Sequence, residues 1–130
     1  MPSTPSPPRP TDAELEILNV LWSRGPSTVR EVHETITEHK PAQYTTVLKL
    51  LQIMSTKGLA RRDVSARAHL YEAARPREET RSQLAGDLLQ RAFGGSARSL
   101  MLGALAGRKT SKKELAELRR LLDEHEEGNR

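Results

Sequence analysis

The sequence predicts a mainly α chain carrying one small β-hairpin, and three observations carry that expectation. Apolar residues recur at i, i+3, i+4 and i+7 in short segments punctuated by Pro and Gly, which is the pattern of amphipathic helices. Between Gly58 and Pro76 this period gives way to two runs of strand-forming residues around a polar tip. Beyond Pro76 the helical period returns in leucine-rich segments.

The first ten residues, MPSTPSPPRP, are rich in Pro and Ser and have no apolar stretch. They predict a disordered or extended tail over 1–10 and exclude a secretory signal. The first helix starts at Thr11, where Thr11-Asp12-Ala13-Glu14 has capping-box spacing. It is expected to bury Leu15, Leu18, Leu21 and Trp22, with the lone Trp as a core anchor, and to stop at Gly25-Pro26. Ser27 or Thr28 caps a second helix, with Thr28 to Glu31 repeating the box and Val29, Val32 and Ile36 forming the apolar stripe. That helix ends near His39, and its Glu31, Glu34 and Glu38 would repel phosphate.

The third helix, from 42 to 57, organises the rest. Val47, Leu50, Leu51 and Met54 fall on one side, while Thr45, Lys49, Gln52 and Thr56 fall on the other. A polar stripe is most often just a solvated face. This one lacks acids in a chain that uses them freely, and Thr, Lys and Gln can donate to base edges and phosphate oxygens. Pro41 precedes the helix and Gly58 stops it. Leu59-Ala60-Arg61-Arg62-Asp63-Val64 and His69-Leu70-Tyr71-Glu72-Ala73 then predict a hairpin with its tip at 65–68. Three short helices followed by a basic hairpin make a winged helix-turn-helix, placed here at 11–75.

From Pro76, expected at the first helical position, a fourth helix carries Leu84, Leu88, Leu89 and Ala92 and ends at Gly94-Gly95. A fifth spans 96–105 with Leu100, Met101 and Leu105. A sixth opens on another box, Ser111 to Glu114, and presents Leu115, Leu118, Leu121 and Leu122. Three such helices cannot enclose a core of their own. The economical burial for Leu100, Leu105, Leu115, Leu118 and Leu122 is against the same segment of a second copy, so 76–130 reads as a helical dimerisation region.

Composition sets the outer bounds. Hydrophobic residues are 35% of the 130, and no apolar run approaches the length of a membrane span. Cysteine is absent, which excludes disulfides and thiolate metal sites and fits a cytoplasmic, nucleoid-associated protein. The net charge of +4 is unevenly spread. Residues 12–39 hold six acids and two arginines, whereas 40–75 hold seven basic residues and two acids. A positive field concentrated on the third helix and hairpin is the footprint of phosphate contact. The four histidines are scattered and no nucleophile, zinc or nucleotide motif occurs, so neither an enzyme nor a cofactor is expected.

On these grounds double-stranded DNA is the expected partner, at an inverted-repeat operator bound by a homodimer. Thr45, Thr46 and Lys49 are the candidates for base edges or adjacent phosphates. Gln43 and Tyr44 lie at a helix N-terminus that favours phosphate, and Thr28, Arg61, Arg62 and Arg67 would meet the backbone. The rival readings are a winged-helix module that binds protein and a small-ligand-responsive repressor of MarR type.

The chain resembles the penicillinase-repressor (BlaI/MecI) family from Thr11 to about Glu124. The residues that carry the resemblance are Ala13-Glu14-Leu15-Glu16-Ile17-Leu18 with Leu21-Trp22, and Tyr44-Thr45-Thr46-Val47 leading to Lys57-Gly58-Leu59. Leu70-Tyr71 and Phe93-Gly94-Gly95 followed by Ser99-Leu100 complete the set. The resemblance implies a homodimeric repressor of β-lactamase or related stress and antibiotic-response genes. It also implies release by cleavage in the dimer region, triggered by a membrane sensor peptidase or another protease. The cut bond would fall at Gly103-Ala104, where the family's pair is Asn-Phe. A copper-sensing branch of the fold uses a Cys-rich C-terminus, which this chain lacks.

Overall fold

The computed structural model describes residues 8–129. The tail expected at 1–10 lies mostly outside them, although Pro10, at its end, is already buried. The elements run α1 (Asp12–Arg24), α2 (Val29–Thr37), α3 (Tyr44–Lys57), β1 (Ala60–Asp63), β2 (Leu70–Ala73), α4 (Arg77–Phe93), α5 (Ala97–Leu105) and α6 (Lys112–Gly128). The fold is a winged helix-turn-helix followed by helices.

Local chemistry sets the starts and stops. Both predicted boxes form: the Thr11 hydroxyl accepts from the Glu14 amide while the Glu14 carboxylate accepts from the Thr11 amide, and Thr28 and Glu31 repeat the exchange. Gly58 closes α3 at φ 83°, a left-handed turn that only glycine enters without steric cost. At Ser111 only half of the predicted box is present, with the hydroxyl accepting from the Glu114 amide. Pro76 caps α4 from outside instead of occupying its first turn, since the helix begins at Arg77.

The chain divides into two compact units, Met1–Gly86 and Asp87–Arg130. In the first, one core joins Ile17, Leu18 and Leu21 of α1, Val29, Val32 and Ile36 of α2, and Val47, Leu51 and Met54 of α3. Leu59, Ala60 and Tyr71 of the hairpin close it. The α1 face is turned from the one expected: Ile17 is in the core, while Leu15 and Trp22 are only half-buried. Glu14 occupies the first position of the buried stripe and is 1% exposed. Its carboxylate receives two bonds from the Lys57 ammonium, at 2.8 and 3.0 Å. This ion pair ties the start of α1 to the end of α3. Burial pushes the Glu14 carboxyl up, but Lys57 and the Thr11 hydrogen bonds outweigh it and hold the group below its ordinary value.

Trp22 sits at the edge of this core. Its indole Nε1–H donates to the Arg75 carbonyl at 2.9 Å, and the Arg77 guanidinium lies 5.9 Å from the ring centroid. With Thr80 buried as well, these contacts place the first turns of α4 in the first unit. The division between the compact units therefore falls inside α4.

The hairpin is antiparallel, with Ala60 opposite Ala73, Arg61 opposite Glu72, Arg62 opposite Tyr71 and Asp63 opposite Leu70. A further bridge joins Ser27 to Tyr71 through two backbone bonds of 2.9 and 2.8 Å. This isolated bridge ties the α1–α2 connection to the wing and holds the wing against the helices.

Candidate nucleic-acid interface

α3 presents three sides. Val47, Leu51 and Met54 are buried, and opposite them Thr45, Lys49, Gln52 and Thr56 are all exposed. No acid lies on that outer stripe. Toward the wing, Tyr44, Leu48 and Gln52 form one wall of an open groove of about 560 Å³. Its other walls are Thr28 and Arg30 at the start of α2, and Arg62, Arg67 and His69 of the wing. Three arginines thus converge on one concave surface beside the stripe. A cleft lined by one sign of charge focuses its field, and a polyanion is what such a surface attracts.

The N-terminus of α3 adds to this. α1 and α2 satisfy their first amides with Thr and Glu side chains, but the Gln43 side chain makes no cap bond and the first turn holds no acid. The free N–H groups and the positive end of the helix dipole remain available to an anion.

Nearby acids are neutralised locally. Glu31 accepts from the Thr28 amide at 2.9 Å and from Arg24 at 2.8 Å, and these bonds hold its carboxyl below the usual range, the Thr28 amide contributing most. Asp63 is likewise held low by the Ser65 hydroxyl and amide, at 2.7 and 2.9 Å, which pins the wing tip.

The structure separates the candidates named from sequence. Thr28, Tyr44, Arg62 and Arg67 share the groove, and Thr45 and Lys49 stand on the outer stripe beside it. Arg61 alternates to the opposite face of the hairpin, where its guanidinium donates to the Ala74 carbonyl at 2.7 Å. Gln43 and Thr46 border a different depression of about 450 Å³, lined by Ala13, Ile17, Ile36 and Leu50 and edged by a Lys40–Glu16 ion pair of 2.7 Å.

The groove also takes in Arg30 and His69, which the sequence reading had not singled out, together with Gln52. Gln52 was visible on the stripe. Arg30 was hidden by its position on the acid-rich α2, where Glu34 pairs with it at 3.1 Å, yet its side chain is 82% exposed. Only the packing of α2 beside the wing turns it toward the groove.

In the second unit α5 and α6 have no buried residue. Leu100, Leu105, Leu115 and Leu118 are half-buried, and Leu122 is 62% exposed, as is Leu121. Gly103 and Ala104 lie within α5, both exposed. A Cβ at Gly103 would stand 3.3 Å from the Phe93 ring, a tight approach. Among the described residues no group of three potential metal ligands occurs, and no helix is long and apolar enough to cross a membrane.

A three-helix core, a two-stranded wing and an exposed basic recognition surface define a winged-helix regulator. The penicillinase-repressor family model matches residues 10–124, and the chain belongs to that family. It is a transcriptional repressor of this type, with a DNA-binding domain, and not an enzyme. The transcriptional regulator BlaI of Mycobacterium tuberculosis is 35% identical over 119 residues, spanning 91% of this chain and 86% of the relative. The penicillinase repressor of Staphylococcus aureus is 23% identical over 112 residues, covering 86% and 89%. Among solved structures, the Bacillus licheniformis BlaI monomeric form in complex with the blaP half-operator superposes with a TM-score of 0.50 at 22% identity. It covers 57% of this chain and 90% of that one. The DNA-binding domain of the repressor BlaI gives 0.51 at 21% identity, covering 58% and 93%. At these identities the two structures speak for the fold.

Proposed function

We propose that two copies of this chain bind an inverted-repeat operator and repress transcription by occupying it. The observation that carries the reading is the acid-free Thr45, Lys49 and Gln52 stripe beside a groove that gathers Arg30, Arg62 and Arg67. Two recognition helices would enter successive major grooves roughly 34 Å apart. Thr45 and Lys49 would reach base edges, Thr28, Tyr44, Arg62 and Arg67 the phosphates. The half-operator complex of the B. licheniformis relative supports one copy per half-site.

The second copy docks through the second unit. Leu88, Met101, Leu102, Leu121 and Leu122 are each at least 40% exposed there, and large exposed apolar side chains are what a protein interface covers. Losing the partner removes the second half-site and its share of the binding energy. Induction therefore acts on the dimer region, through a membrane sensor peptidase or another protease acting in the cytoplasm. Gly103-Ala104 is helical, so cutting there requires α5 to open first. The regulated genes are those of β-lactamase or a related antibiotic response.

Sequencing the genomic fragments that the protein retains identifies the operators. On them, Lys49→Ala is expected to cost about 1–3 kcal/mol, mainly for the cognate sequence. Arg67→Ala is expected to weaken cognate and random duplexes alike and to lower the salt slope by about one. Unchanged affinity in both variants refutes the assignment.

A further inference from the structure

We propose that His33, on α2 and outside the groove itself, is a positioning residue that presents the first turn of α3 to DNA. This inference rests on the DNA-binding reading above. His33 Nε2 lies 2.8 Å from the Ala42 carbonyl oxygen, so that nitrogen carries the proton and donates. Ala42 immediately precedes Gln43, the N-cap of α3. The imidazole also meets the Tyr44 ring edge to face, with centroids 5.7 Å apart and planes inclined by 77°. Tyr44 is the first residue of α3 and is 46% exposed, standing in the wall of the arginine-lined groove.

One half-buried side chain thus fastens both the backbone entering the helix and the first side chain leaving it. Gln43 makes no cap bond, so the entry to α3 lacks the local restraint that Thr11 and Thr28 supply to α1 and α2. The anchoring is done from the neighbouring helix, which leaves the first-turn amides of α3 free for phosphate. A side-chain cap would spend one of those amides. The His33 bond restrains a carbonyl instead, and so orders the turn without competing with the ligand.

The test uses the full-length protein, the duplex that the wild type selects from a randomised library, and a random duplex. His33→Ala is expected to weaken the selected duplex about tenfold, and its loss with Tyr44→Ala is expected to be smaller than the product of the single losses. His33→Gln keeps a donor for Ala42 and should recover much of the affinity, whereas His33→Phe keeps only a ring. The expected order is wild type, Gln, Phe, Ala. That order also serves if the alanine variant loses its cooperative unfolding, because the comparison then rests on Gln against Phe. Equal affinities across wild type, Gln and Phe overturn the proposal, as do losses that multiply independently of Tyr44. Lys49→Ala separates the two levels of the argument. If it weakens binding while the His33 variants do not, only the role of His33 fails. If the wild type shows no salt-dependent duplex binding, the DNA reading fails and takes this one with it.

Discussion

Replacing Lys57 by Met tests the joint between α1 and the recognition helix. Glu14 is 1% exposed, and two of its hydrogen bonds come from the Lys57 ammonium. Removing one member of a buried pair costs about 3–5 kcal/mol, because the other charge is left unpaired. Here the loss is smaller. The Lys57 side chain is itself 33% exposed, which weakens the pair it makes. Glu14 also keeps the bond from the Thr11 amide at 2.9 Å. The expected cost is about 2–3 kcal/mol at neutral pH. For a unit of this size each kcal/mol moves the melting midpoint by about 4–8 °C, so a fall of about 10–20 °C follows. Trp22, the only Trp in the chain, reports unfolding by fluorescence.

The pH dependence has a definite sign. The Glu14 carboxyl is held low in the folded state, so its pairing stabilises above the ordinary glutamate pKa of about 4.3 and is lost as pH falls through the lowered folded value. The gap between wild type and Lys57→Met should therefore narrow in acid. Adding Glu14→Gln to Lys57→Met should restore part of the stability, since the unpaired charge is gone. A Lys57→Met midpoint corresponding to less than about 0.5 kcal/mol at neutral pH would refute the reasoning, since that is the range of an ordinary surface change.

Three further substitutions follow from the geometry. Gly58→Ala meets no atom within 4 Å, so its whole cost is backbone strain at φ 83°, about 1–2 kcal/mol by urea unfolding. Arg61→Ala and Arg62→Ala, adjacent in sequence, should behave differently in a salt titration with duplex DNA. Arg62→Ala is expected to lower the salt slope by about one, while Arg61→Ala, which faces Ala74 on the other side of the hairpin, leaves it nearly unchanged.

Much of this architecture was legible before any coordinates. Thr-x-x-Glu boxes, glycine stops and a 3.6-residue apolar period act over one or two turns of chain, so the element order and the outward stripe of α3 could be read directly. The acid-free composition of that stripe was equally local. The limits appear where a residue answers to something distant. Glu14 looked like a capping residue alone, yet it is buried and also holds Lys57 from the far end of α3. Arg30 and Arg62 come from separate elements and share a groove through tertiary packing, in which Ser27, just before α2, bridges to Tyr71 of the wing.

Short-range hydrogen bonding and side-chain period were enough to specify the helices, their ends and which side of α3 is polar. Which charges share a groove, which arginine turns away and how His33 comes to hold the entry of α3 were settled only by tertiary packing. The physical reason is that pairings between elements depend on relative orientation, and orientation follows from burying one common core, which no single window of sequence contains.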